Sequence, residues 1–278
     1  MNNNIKYKSD HWLSYNGLVD LSCKKHYCVC LKTKKELNLI AKMKNTFIII
    51  MLLAILLTLF SVSACVFIPA ISKLDMKIFT ASQENKIGES AQILLVIDNS
   101  SFFPTKTNVY AMEKRGDNWQ MAFEPFNAVI GINGFAEEGE KKEGDGKTPS
   151  GIYPLKLTFG YDATIGTKMP YRQAMPDDIW VDDSNSDDYN RWVKKSETRA
   201  ASYELMKRDD NLYKYGVVIE YNTDPVIMGN GSAIFLHIWK GKGIPTAGCV
   251  AVSEENIIKI IEWLDPQASP VIIMGMEN

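Results

Sequence analysis

Past residue 71 the chain keeps one histidine and one cysteine, His237 and Cys249, twelve positions apart. Their types suit covalent catalysis. The thiolate is the reactive form of cysteine, and a free thiol with a pKa of ~8.5 needs a neighbouring base or cation to populate it at neutral pH. Histidine supplies such a base and afterwards returns the proton to a leaving group. Gly248 beside the thiol leaves room for a substrate carbonyl, and main-chain N–H groups around Gly248 and Cys249 are candidate oxyanion donors. The alternative on these residues alone is structural, since a buried cysteine next to valine and a histidine on an aromatic strand face are both common core features.

The elements around the pair read as a strand, a loop and a return. Ala233-Ile234-Phe235-Leu236-His237-Ile238-Trp239 alternates, so Phe235, His237 and Trp239 share one face while Ile234, Leu236 and Ile238 share the other. Lys240-Gly241-Lys242-Gly243-Ile244-Pro245 is a glycine and proline loop, and Thr246 to Ala251 turns back beside the strand. Further short apolar runs, Ile93–Ile97, Val109–Met112, Ala128–Ile132, Ile152–Leu157, Val217–Tyr221 and Val271–Met274, are separated by turn residues. They predict a β-rich domain, mainly β or α+β. One helix comes after Ser253 as cap, with Glu254 and Glu255 at its positive end, Ile257, Ile258, Ile261 and Leu264 on one face, and Asp265-Pro266 as its stop. A second helical piece is expected between Tyr189 and Met206, inside a long polar insertion.

At 278 residues and 46% hydrophobic content the chain can bury a sizeable core, and its net charge of -2 gives no reason to expect nucleic acid as a partner. The basic bias sits at the front. Seven lysines between residues 24 and 44 run into the apolar stretch Phe47–Phe60, a membrane-targeting pattern that keeps the lysines cytoplasmic and exports the residues beyond the stretch. Met43-Lys44-Asn45 opens a segment with the form of a complete signal, which makes residues 1–42 an N-terminal extension upstream of a second candidate start. Residues 43–71 form the signal or anchor. Val62-Ser63-Ala64 fits signal peptidase, Val62-Ser63-Ala64-Cys65 resembles a lipobox, and apolar character continues to Ile68, near the roughly 20 residues of a spanning helix. Retention at the bacterial membrane is favoured over free release. Residues 72–89 read as a polar linker and residues 90–278 as the extracytoplasmic domain.

Other chemistries fail on spacing. Gly146-Lys147-Thr148 ends like a phosphate loop, but Lys141 stands where the first glycine belongs. Asp183, Asn185 and Asp187 imitate a calcium loop whose turn glycine is replaced by Asp188 and whose bidentate glutamate is replaced by Lys194. A single exported histidine cannot build an ordinary catalytic zinc site, and Cys23, Cys28 and Cys30 lack paired zinc spacing. No metal and no cofactor is expected.

His237, the glycine loop and Thr246-Ala247-Gly248-Cys249-Val250-Ala251 resemble the histidine-to-cysteine signature of the L,D-transpeptidase catalytic domain, the YkuD type. Gly144-Asp145-Gly146-Lys147-Thr148-Pro149-Ser150-Gly151-Ile152-Tyr153 resembles that family's upstream strand motif, and the similarity runs from about Ala91 to Met274. The resemblance implies a β-sandwich-like domain that acts on tetrapeptide stems of peptidoglycan through a cysteine thioester. It makes Cys249 the nucleophile and His237 the base, with the main-chain carbonyl of Ile238 orienting the ring. The family commonly has histidine before the Gly-Cys pair and arginine two residues after the cysteine, where this chain has Ala247 and Ala251. Acceptor choice and substrate-carboxylate recognition therefore lack the polar groups the family commonly supplies, and Tyr171, Arg172 and Trp239 are candidate contacts.

Two alternatives remain open at this level. Water in place of an acceptor amine would make the same site an L,D-carboxypeptidase or amidase. A non-catalytic wall-binding module would instead stack sugars on Trp180, Trp192 and Trp239.

Overall fold

The computed structural model describes residues 86–98 and 105–275. The expectations for residues 1–42, for the signal or anchor at 43–71 and for most of the linker lie outside the described residues. Thirteen strands are described: β1 (Gln92–Asp98), β2 (Lys106–Arg115), β3 (Asn118–Met121), β4 (Phe126–Val129), β5 (Gly151–Gly160), β6 (Tyr171–Gln173), β7 (Asp178–Val181), β8 (Trp192–Lys194), β9 (Tyr203–Leu205), β10 (Tyr215–Ile219), β11 (Phe235–Ile238), β12 (Val250–Val252) and β13 (Val271–Met274). They are joined by helix α1 (Glu254–Trp263).

Eight strands close into a ring in the order β1-β13-β5-β10-β11-β12-β4-β2, with β2 pairing back onto β1. The β1–β13 and β11–β12 pairs are parallel and the other ring pairs antiparallel. Closure removes the exposed edges that an open sheet would present. Period-two alternation sends one set of side chains inward, among them Leu94, Val96, Val109, Ala111, Leu155, Val217, Leu236, Val250 and Ile272. The apolar face of α1 packs into this same core through Ile257, Ile260, Ile261 and Leu264. Strand β1 is apolar on both faces because Ile93, Leu95 and Ile97 enter a second core with Tyr110, Met112, Trp119 and Ile273. Ile87 joins that second core, so packing extends upstream of Ser90.

The Ser253 hydroxyl accepts from the Asn256 N–H, as a cap does, and the helix ends at Leu264 before a short 3-10 turn at Pro266–Ala268. The buried face is carried by Ile260 rather than Ile258, which is only half-buried. A larger difference lies in the polar insertion. No α-helix forms between Tyr189 and Met206; β8 and β9 flank β7 in a separate three-stranded sheet, with one 3-10 turn at Lys195–Glu197. Cross-strand pairing of Trp180 with Trp192 and of Ile179 with Val193 and Leu205 outweighs the weak local helical pattern.

Candidate active site

His237 and Cys249 lie on the outer face of the ring, beneath the insertion. Strand β11 is paired on one side with β10, Gly216 opposite His237, and on the other with β12, Ala251 opposite His237. Both flanking residues are small. A side chain at Gly216 would collide with the Phe159 ring, 2.2 Å from the position of its Cβ, so glycine there lets the ring lie across β10. Cys249 immediately precedes β12, and because Leu236 is paired with Val250, the cysteine falls beside Phe235. Its thiol and the imidazole thus project from the same face of adjacent strands, with α-carbons about 8 Å apart from strand spacing and rise.

Backbone groups hold the thiol. The Cys249 S–H donates to the Ala233 carbonyl at 3.2 Å, and the Phe235 N–H donates to the sulfur at 3.3 Å. Ala233 is left-handed, with φ 53°, a conformation unfavourable for alanine by about 1–2 kcal/mol. The insertion offsets that strain: Asn190 Oδ1 accepts from the Ala233 N–H at 3.1 Å and from Trp180 Nε1 at 2.8 Å, and Asn190 Nδ2 donates to the carbonyls of Tyr221 and Asn222. A carbonyl can only accept, so the 2.7 Å contact between His237 Nδ1 and the Ile238 carbonyl puts the hydrogen on Nδ1 and leaves the Nε2 lone pair available as a base.

Thr148 supports the loop from below. It is fully buried; its Oγ1 accepts from the Gly131 N–H at 2.9 Å and donates to the Gly248 carbonyl at 2.7 Å. The Gly248 N–H donates to Thr246 Oγ1, which donates to the Cys249 carbonyl. Upstream, Asp145 accepts from Lys141 Nζ and from the N–H groups of Lys142 and Lys147, which fixes the turn that delivers Thr148.

Burial sets the charge state. Cys249 is 7% exposed and His237 6%. Burial pushes the Cys249 thiol up to about 12, with the Glu204 carboxylate adding to the rise and the Phe235 N–H and Tyr213 hydroxyl opposing it. Burial pulls His237 down to about 4; the Ile238 carbonyl opposes, Arg208 assists, and Asp210 and the Leu212 carbonyl oppose. At rest the pair is therefore a neutral thiol and a neutral imidazole rather than an ion pair.

An aromatic box surrounds them. Phe235 meets Phe159, Trp180 and Tyr213 edge to face at 5.4, 4.9 and 5.5 Å, and Tyr213 meets the imidazole at 5.1 Å. Glu204 and Arg208 also line a cavity of about 430 Å³ together with Tyr203, Leu205, Asp209 and Asp210.

Of the other sequence candidates, Trp239 lies just beyond β11 with its N–H on the Val252 carbonyl. Tyr171 donates to the Asp162 carbonyl. Arg172 is bound to Asp178 at 3.2 Å and stacks 4.2 Å from the Trp192 ring. Both are engaged within the fold. Trp180 is 6% exposed and packed on Phe235, and Trp192 lies under Arg172, so neither offers a free face to a sugar. Asp183 accepts from the N–H groups of Asn185 and Ala201, closing its own turn. Among the described residues no group of three or more His, Cys, Asp or Glu has an arrangement able to hold a metal ion. Asn190, Thr148 and Tyr213 do not stand out from the sequence; only Thr148 has a local signal, its place in the Gly-Asp-Gly-Lys-Thr-Pro motif.

The sequence model of the YkuD family, the L,D-transpeptidase catalytic domain, matches residues 96–273. No curated protein matches the chain. Among solved structures it is similar to Bd1075 of Bdellovibrio bacteriovorus, with 16% identity over 66% of this chain and 48% of that one and a TM-score of 0.36. It is also similar to the helical cell shape determining protein Pgp2 of Campylobacter jejuni, with 17% identity over 73% of this chain and 55% of that one and a TM-score of 0.37. The chain spans about half the length of these proteins.

Proposed function

The chain belongs to the YkuD family of L,D-transpeptidase catalytic domains, and from that membership we propose that it cuts and rejoins tetrapeptide stems of peptidoglycan through a thioester on Cys249. The observation that carries this reading is the placement of the only described cysteine and histidine on one face of the paired β11 and β12 edge, with the Nδ1 hydrogen of His237 committed to the Ile238 carbonyl.

In the proposed reaction the Cys249 proton passes to His237 Nε2 as the sulfur attacks the carbonyl carbon of the L,D peptide bond. The terminal D-alanine departs with that proton, leaving the thioester. An amine of a second stem then attacks, its proton returns through His237, and the Cys249 thiol is restored. Neutral resting groups suit this sequence, since the thiolate forms only when His237 takes its proton and does not stand in the apolar box at rest. Ala251, fully buried opposite His237, provides no cation for a substrate carboxylate.

The family acts in the cell envelope, and the lysine-flanked apolar segment supports retention of this chain at the membrane with its catalytic domain outside. The test is product analysis with the full chain in detergent on defined tetrapeptide muropeptides, with and without a free amine acceptor. Loss of terminal D-alanine with mass gain of the amine is expected. Hydrolysed tripeptide even at high amine would assign the carboxypeptidase outcome instead. Folded Cys249→Ala protein turning over at the parent rate would overturn the thioester mechanism.

A further inference from the structure

Tyr213 carries a hydroxyl that the thiol–imidazole pair does not use. The residue is 4% exposed, its ring lies edge-on to His237 and Phe235, and it shares the buried cluster that contains Cys249. That hydroxyl donates to Glu204 Oε2. Glu204 sits on β9, bonded to Tyr213, and lines the cavity with the charged residues Arg208, Asp209 and Asp210; Asp182 and Glu143 add negative field at its carboxyl. Arg208 is committed by two hydrogen bonds to Asp210, at 2.9 and 2.6 Å, and leaves the carboxyl of Glu204 incompletely balanced.

A phenol has one hydrogen to give. At rest it goes to Glu204, while the thiol hydrogen goes to the Ala233 carbonyl. Once the thiol proton has moved to His237, the sulfur is an anion in an apolar box, and its one backbone donor is the Phe235 N–H. The Tyr213 O–H is the adjacent donor that can turn to it, provided Glu204 no longer accepts that hydrogen. A protonated Glu204 meets this condition, since it donates to the phenol oxygen and removes a like charge from beside the sulfur.

We propose that Tyr213 is a further catalytic residue, the O–H donor to the Cys249 thiolate, and that Glu204 is its positioning residue, holding the hydroxyl away from sulfur when ionised and releasing it when protonated. Protons balance throughout: the Cys249 proton goes to His237, Tyr213 keeps its own, and Glu204 exchanges one with water in the adjoining cavity. Its catalytic meaning rests on the reading of Cys249 as nucleophile, but the test reads the thiol alone, so the two can fail separately.

The test is the pH profile of Cys249 alkylation by iodoacetamide in the full chain, with mass spectrometry on the peptide containing Gly248-Cys249-Val250. Glutamine mimics the protonated carboxyl. Glu204→Gln is expected to react about tenfold faster than the parent at neutral pH, corresponding to about one pKa unit at the thiol. Its rate is also expected to rise more steeply with pH, because the parent loses the proton on Glu204 as it gains the thiolate. Tyr213→Phe, which keeps the ring packing, is expected to react about tenfold slower. A change in access alone would scale the rate without altering the steepness. Parent-like or slower alkylation of Glu204→Gln, or an unchanged pH slope, would overturn the proposal, and so would parent-like alkylation of folded Tyr213→Phe.

Discussion

At His237 the cost of burying a charge outweighs the carbonyl that favours it, and the consequence is measurable in stability. The imidazole is neutral when folded down to about pH 4, whereas in the unfolded chain it titrates near its ordinary value of 6.5. Between those values the unfolded state binds the extra proton, so stability from this group is complete above pH 6.5 and is lost as pH falls toward 4. The predicted loss is about 3 kcal/mol, from roughly 1.4 kcal/mol per pKa unit. Urea unfolding of parent and His237→Gln at pH 7 and pH 4.5 checks it: the parent should lose more stability than the variant over this range, and equal losses would remove His237 as the cause. That His237 and Cys249 would fall on neighbouring strands was legible from residue order. Their neutral resting charges were not, because charge is set by burial under Phe159, Trp180 and Tyr213, residues distant in sequence.

Loops and strand ends carry the next level of organisation. The motif around Thr148 and the turn at Gly248 stand 100 positions apart, yet a single hydroxyl joins them. Replacing Thr148 with valine keeps the shape and leaves the buried Gly131 N–H and Gly248 carbonyl without their partner. A loss of about 2–6 kcal/mol in urea unfolding is expected, from about 1–3 kcal/mol for each of the two orphaned groups, together with reduced turnover. A parent-like unfolding midpoint would show that water replaces the hydroxyl. The β11 face and the Ser253-capped helix were readable because periodicity and capping are local. The residues 189–206 misled the helical reading because β8 and β9 are three-residue strands whose stability comes from β7 rather than from their own pattern.

Among the described residues, ring closure by β1 on β2 encloses one apolar core, while Trp180 and Met206 of the insertion pack over the outer face that carries Phe235 and Cys249. No helix among the described residues is long and apolar enough to cross a membrane. The lysine-flanked stretch at 47–60 predicts that the catalytic domain is exported. Protease added to intact spheroplasts should digest it, and protection equal to that of a cytosolic control would reverse the topology.

By itself the sequence determined the nucleophile–base candidates, the β-rich class, the capped helix and the family, since each rests on residue type, local period or a contiguous motif. Tertiary structure alone decided that Asn190 holds Ala233 in a strained conformation and that Thr148 supports Gly248. These contacts join segments tens of residues apart, and folding brings them within hydrogen-bond range by pairing strands whose order in the ring differs from their order in the chain.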